Sequence, residues 1–267
     1  MSSAIHYFDL DFNAELGNSS YASFPFYFNG NQIKEVTCIL SGIKSGDMKY
    51  DTDNENRISF FKKLGIKERR VYGLKQIHSR KVLITDKNNL PVEEADGMVT
   101  RDSYVILSVT VADCLPVFLF DTKSGAFGIV HSGWKGTGIV IKALELMNEK
   151  CGTKDSDTAV IIGPCIDNCC YKVDKERYSL FAENFGDQSV KEQDGSYFID
   201  LKKANIQLLE EAGVRNIAVC NNCTFTDTRL GSFRRQGENY TRMIAMIGKN
   251  FTQKHKEEKD RKGRSTG

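Results

Sequence analysis

Residues 104–138 read YVILSVTVADCLPVFLFDTKSGAFGIVHSGWKGTG, and the class of fold follows from how this stretch divides. YVILSVTV (104–111) is an apolar run, too short for a typical helix and rich in β-branched residues, the pattern of a strand covered on both faces. PVFLFD (116–121), the turn TKSG and AFGIVH (126–131) read as a hairpin. GWKGTG then opens a helix from about Ile139, with Val140, Ala143, Leu144 and Met147 on one face. Downstream the alternation persists, with a strand at TAVIIGP, a helix at DKERYSLFAENF and a strand at YFID. Asp200 is placed to cap LKKANIQLLEEAG, Gly213 stops that helix, and NIAVC closes the series as a strand. Strands interleaved with helices define a mixed α/β protein.

Around this centre, 267 residues with 40% hydrophobic and 27% charged content give one large domain or two small ones. A net charge of +2, spread along the chain, argues against nucleic-acid binding, which needs a concentrated basic face. No apolar stretch approaches the roughly 20 residues of a membrane helix, and the N-terminus lacks the pattern of a secretory signal. Eight cysteines without such a signal are expected to be reduced thiols in a cytoplasmic protein. There is no repeat of fixed period. From Lys249 the text turns polar, KNFTQKHKEEKDRKGRSTG, so a folded unit is expected over 1–248 and a disordered tail over 249–267.

Four histidines narrow the search for chemistry. His6 lies near the N-terminus and His255 in the tail, leaving His78 in LKQIHSRKV and His131 in GIVHSGWKG. Both are expected at the end of strand-like segments, and Cys114 in VTVADCLPVF between two strands, where loops carry functional groups on a rigid base. One thiolate and two imidazoles suit Zn²⁺ and leave a fourth position for water or substrate. The three lie far apart in sequence, however, and spacing alone favours strand-end histidines with a buried small cysteine. GWKGTG offers backbone N–H groups and the charge of Lys135 to a phosphate, although it lacks P-loop spacing and a plain turn explains it better. Arg57 in NENRISFFKKLG, and Arg234, Arg235 and Arg242 in GSFRRQGENYTR, are candidate phosphate partners that also read as surface or structural charges. Cys165, Cys169 and Cys170 in IGPCIDNCCYKV, with Cys220 and Cys223 in VCNNCT, fall short of the paired spacing of a zinc ribbon and read first as buried or loop thiols.

Taken in order, KQIHS, ADGMVT, VADCLPVFLFD, GIVHSGWKGT, IGPCIDNCCYKV, CT and SFRRQG resemble the YfiH-like family, whose members carry laccase-domain, multicopper polyphenol oxidase and purine nucleoside phosphorylase labels. The resemblance spans roughly residues 55 to 245. It implies a four-layer α/β/β/α single domain and zinc on His78, Cys114 and His131. It also implies phosphorolysis of adenosine, inosine and methylthioadenosine, with adenosine deamination beside it and Cu²⁺ as a substitute metal. The partners would then be a purine nucleoside and phosphate. Arg57, Arg234 and Lys135 are the candidate substrate residues; Cys114, His131 and Asp113 are the candidate catalytic ones, with Asp113 nominated as proton shuttle. The signature of the zinc nucleobase deaminases is absent. The chain departs from the family in NGNQIKEVTCILSGIKSGDMKYDTDN and in Thr241-Arg242, which replaces a Gly-Arg pair; both bear on the substrate pocket rather than the metal ligands. Two other enzyme classes stand beside this one. The first is a thiol hydrolase with Cys114 as nucleophile and His131 as base, including peptidoglycan-precursor editing. The second is a copper polyphenol oxidase, which four histidines are too few to build. A non-catalytic binding protein is the remaining class.

Overall fold

The strands on either side of Ala112–Cys114 do not pair; they belong to different sheets. A computed structural model describes residues 4–12, 14–16, 19–51, 53–90 and 93–249. In chain order its strands are β1 (Ala4–Phe8), β2 (Ala14–Leu16), β3 (Ser19–Phe28), β4 (Asn31–Ser41), β5 (Val71–Tyr72), β6 (Val82–Ile84) and β7 (Gly97–Thr100). The central strands follow as β8 (Ile106–Val111), β9 (Leu115–Asp121), β10 (Phe127–Ser132) and β11 (Thr158–Ile162). The last are β12 (Lys172–Val173), β13 (Val190–Gln193), β14 (Ser196–Ile199), β15 (Asn216–Cys220) and β16 (Met243–Gly248). The helices are α1 (Glu55–Lys63), α2 (Ile139–Cys151), α3 (Lys175–Phe185), α4 (Leu201–Glu211) and the short α5 (Phe233–Gln236). A seven-stranded sheet runs β1-β15-β11-β9-β10-β7-β6, and a six-stranded one β2-β3-β4-β16-β8-β5. β12, β14 and β13 form a small third sheet.

The two-residue period of a strand sorts the side chains into layers. Along β9, Phe118 and Phe120 enter the core shared by the two large sheets, while Leu115, Val117 and Leu119 face the helices. Across the inter-sheet core Phe24 meets Phe118 at 5.3 Å, and Phe26 meets Phe120 at 6.0 Å. β8 sends Leu107, Val109 and Val111 into that core and Ile106 toward α1, so it is covered on both sides, as its apolar run predicts. α2, α3 and α4 cover the outer face of the seven-stranded sheet. Phe60, Phe61 and Leu64, at and just after α1, cover the outer face of the six-stranded sheet. The result is the four-layer α/β/β/α arrangement, in which each fully buried large side chain contributes about 1.5–3 kcal/mol.

Local signals behave as their chemistry dictates. The Asp200 carboxylate accepts the Lys203 N–H at 2.9 Å, and Gly213 takes φ +93° just after α4. β9 and β10 pair as the expected hairpin. YFID is a strand too, but in the small third sheet rather than a large one. All eight cysteines are free thiols. Among the described residues no helix is long and apolar enough to cross a membrane. The expected tail, apart from Lys249, lies outside the described residues.

Candidate functional site

The chain passes between the two large sheets at the β5–β6 loop and again at the β8–β9 crossover; these carry His78 and Cys114. His131 stands on β10, opposite Pro116 of β9. The site therefore forms where the sheets are stitched together.

The segment before His78 is a loop, not the strand-like segment its apolar residues suggest, because β5 ends at Tyr72. Beyond it the Gln76 side chain stands in for backbone: its amide donates to the Thr110 carbonyl at 2.9 Å and accepts the Thr110 N–H at 2.7 Å. His78 itself has φ +58°, a sparsely populated conformation for a non-glycine residue. One carboxylate holds it there. Asp96, fully buried, accepts the backbone N–H groups of Ile77 (3.3 Å), His78 (3.0 Å) and Ser79 (2.6 Å), and the Ser79 hydroxyl at 2.8 Å. Its Oδ1 also lies 3.0 Å from Nδ1 of His131. Burial opposes the Asp96 charge, but His131 and the Ser79 donors outweigh it and hold the carboxyl at about 2. With Nδ1–H of His131 donated to Asp96, Nε2 is left for Cys114 or a metal, the usual arrangement of a carboxylate behind a ligating imidazole.

The ligand atoms of His78, Cys114 and His131 lie within 4.8 Å of one another, and the two imidazoles meet at 5.0 Å and 77°. Burial disfavours a Cys114 thiolate, yet His131 and His78 overcome it and bring the thiol down to about 6. His131 moves the opposite way: burial would lower it, but Cys114 and Asp96 raise it to about 9. Gly133 makes room for the sulfur, since a Cβ there would sit 2.8 Å from Sγ of Cys114. A Cβ at Gly136 would sit 2.9 Å from the Ser79 carbonyl. The glycines of GWKGTG thus let two loops approach the ligands. Lys135 is exposed, 5.6 Å from the Trp134 ring, and lines neither cavity at the site.

Two cavities flank the triad, and His78, Ala112, Cys114 and Tyr240 line both. The first, of about 260 Å³, is cationic, with Lys49, Lys75 and Arg242 beside Tyr50 and Gln76. The second, of about 340 Å³, is aromatic, with Trp134, Tyr171 and Phe233 beside Arg177 and Arg234. Arg234 reaches the Lys172 carbonyl at 2.8 Å and stands 5.4 Å from the Tyr171 ring. Arg57 lines neither cavity. It is buried, donates to the Met48 carbonyl at 3.2 Å and lies 5.4 Å from the Tyr50 ring, so it holds the segment that bears Lys49 and Tyr50. Arg235 donates to the carbonyls of Thr224, Phe225 and Leu230 and fastens the 224–235 segment. Asp113 accepts Oγ1–H of Thr224 at 2.5 Å and the Arg234 N–H at 2.8 Å. Sequence reasoning missed the cavity residues Lys49, Lys75 and Tyr240, and above all it missed Asp96. Its signal was the acidic residue of ADGMVT, which had no assigned role.

A family model described as multi-copper polyphenol oxidoreductase laccase matches residues 38–250. A purine nucleoside phosphorylase of Aquifex aeolicus is 33% identical over 183 residues, covering 67% of this chain and 83% of its own length. Purine nucleoside phosphorylase YlmD of Geobacillus stearothermophilus is 32% identical over 226 residues, 78% of this chain and 82% of its own. The crystal structure of YlmD from that organism superposes with a TM-score of 0.71 at 25% identity, over 88% of this chain and 93% of that one. The crystal structure of the Bacillus licheniformis hypothetical protein YfiH gives 0.73 at 25% identity, over 80% and 93%.

Proposed function

This chain belongs to the family described as multi-copper polyphenol oxidoreductase laccase, and from that membership we propose that it is a zinc-dependent purine nucleoside phosphorylase with its metal on His78, Cys114 and His131. The observation that carries the reading is the convergence of these side chains between a cationic and an aromatic cavity. The relatives named purine nucleoside phosphorylase support the reaction class.

The donors fit one zinc ion: a thiolate, two imidazoles, a carboxylate behind one of them, and a side open to both cavities. They do not fit a multi-copper centre, which needs many imidazoles. The chain has four histidines, of which His6 packs 5.0 Å from Tyr27 and His255 belongs to the tail. Copper in this single site is consistent with the higher intrinsic affinity of Cu²⁺.

Bound there, zinc supplies positive charge beside the reacting centre. The protein's own groups do the rest. Phosphorolysis joins a phosphate oxygen to the anomeric carbon while the bond from that carbon to the purine nitrogen breaks, and the purine departs with the electron pair. Lys49, Lys75 and Arg242 hold the phosphate, with Arg242 set in place by Asp47 at 2.8 Å. Trp134, Tyr171 and Phe233 face the purine. Tyr240, edge-on to Phe233 at 5.1 Å and 4.3 Å from the Arg242 guanidinium, divides the cavities. Asp113, with both oxygens engaged, is a positioning residue that aligns Arg234 with Cys114.

The test is incubation of zinc-loaded protein with phosphate and adenosine, inosine or methylthioadenosine. Free base with ribose 1-phosphate, or its methylthio analogue, is expected, and inosine formed from adenosine would add deamination. No product from any of the three ends the reading. The Cys114–His131 pair favours one competitor, a thiol hydrolase, which predicts an acylated Cys114; zinc-blocked alkylation of Cys114 favours the metal.

A further inference from the structure

A second set of soft ligands lies apart from the triad. The sulfurs of Cys169, Cys170 and Cys223 are all within 4.8 Å of one another, and Cys169 and Cys170 are 3.2 Å apart. We propose that these three thiols form a structural site for a soft d¹⁰ metal ion, separate from the triad and independent of the reaction assigned to it. Metal–sulfur bonds of about 2.3 Å place two sulfurs on one ion about 3.8 Å apart at a tetrahedral angle and at most about 4.6 Å apart in line, so sulfurs this close to one another can converge on a single ion with small side-chain shifts. Among the described residues no imidazole or carboxylate joins the set, and an all-thiolate donor set selects soft ions over hard ones.

The surroundings are built to hold it. Cys223 is buried, and the Asp167 N–H donates to its sulfur at 3.3 Å, which fixes where that sulfur sits. The turn carrying Cys169 and Cys170 is closed by two N–H groups on one acceptor: Cys170 (2.9 Å) and Tyr171 (2.8 Å) both donate to the Asp167 carbonyl. Asn168 ties the turn to Asp200 at 2.7 Å, and Lys202 pairs with Asp167 at 2.6 Å. The loops after the parallel strands β11 and β15 meet through a bridge between Cys165 and Cys223, with the Thr224 N–H donating to the Cys165 carbonyl at 3.0 Å. The ion would join these loops at the back of the aromatic cavity, since Tyr171 follows Cys170 directly and lines that cavity. Cys169 is exposed, which leaves the ion an entry path.

Reduced, metal-free full-length protein titrated with Cd²⁺, whose thiolate bonds absorb in the near ultraviolet, tests this. Two tightly bound ions per chain are expected, falling to one in Cys169→Ser/Cys170→Ser, with purified zinc content falling by the same one equivalent. Cys223→Ser should also lose one equivalent, and His78→Ala should lose the other while leaving this one. A single ion in the wild type, or two in the double variant, overturns the proposal.

Discussion

Asp96→Asn is the most informative single change, because Asp96 is nearly isosteric with Asn yet holds both histidines. Its Oδ2 accepts three donors, from Ile77, Ser79 and the Ser79 hydroxyl, while Oδ1 accepts from His78 and faces Nδ1 of His131. An amide nitrogen cannot accept at either position. Placed at Oδ2 it confronts two backbone N–H groups; placed at Oδ1 it confronts the His78 N–H and turns His131 into the tautomer that presents Nε2–H to the metal. Loss of a carboxylate behind a ligating imidazole typically weakens metal binding 10–100-fold, about 1.4–2.7 kcal/mol. Each buried donor left unsatisfied adds about 1–3 kcal/mol against the fold. Zinc affinity measured by competition with a chromophoric chelator should fall within that range, and the metal-free protein should melt several degrees lower. Wild-type zinc affinity with an unchanged melting temperature would refute the role given to Asp96.

Gly133→Ala should deplete the purified protein of zinc while leaving its far-ultraviolet circular dichroism intact, because the new Cβ meets the Cys114 sulfur at 2.8 Å; full zinc content counts against that packing. In metal-free protein, iodoacetamide should alkylate Cys114 at a rate that halves only as pH falls to about 6, since the lowered thiol keeps the reactive thiolate below the ordinary range. His131→Ala removes the main lowering influence, so the rate at pH 7 should drop about tenfold or more; an unchanged profile contradicts the pairing. The Asp96 carboxyl is depressed to about 2, so its stabilising contribution is complete above an unfolded value near 4 and disappears as pH falls through about 2. Asp96→Asn should therefore flatten the acid limb of the stability curve, read by urea melts across that range. Arg242→Ala should raise the KM for phosphate about tenfold or more with a smaller effect on the nucleoside, and an effect confined to the nucleoside would place phosphate elsewhere.

Much of this was legible where local chemistry governs. The β-branched run at 104–111, the hairpin around TKSG and the Asp200 cap each follow from nearest neighbours, and each appears as read. The partition of strands between sheets is not local. β8 and β9 are separated by three residues, but only the packing of Phe118 and Leu107 into one core shows that the chain crosses over there. The three ligand candidates could be named from residue type, whereas Asp96 could not, because a buried aspartate with five donors looks in sequence like any other acidic residue. Arg57 misled for the converse reason: an arginine at a helix start reads as a phosphate partner until its guanidinium is found against Tyr50 and Phe61.

His78 and Cys114 ride on two of the chain's passages between the large sheets, and this fixes when an ion can bind during folding. Neither sheet alone presents the full donor set, so a metal can arrive only after the halves have docked. It then acts as a late clasp rather than a template: zinc should slow unfolding in proportion to its affinity and leave the folding rate untouched.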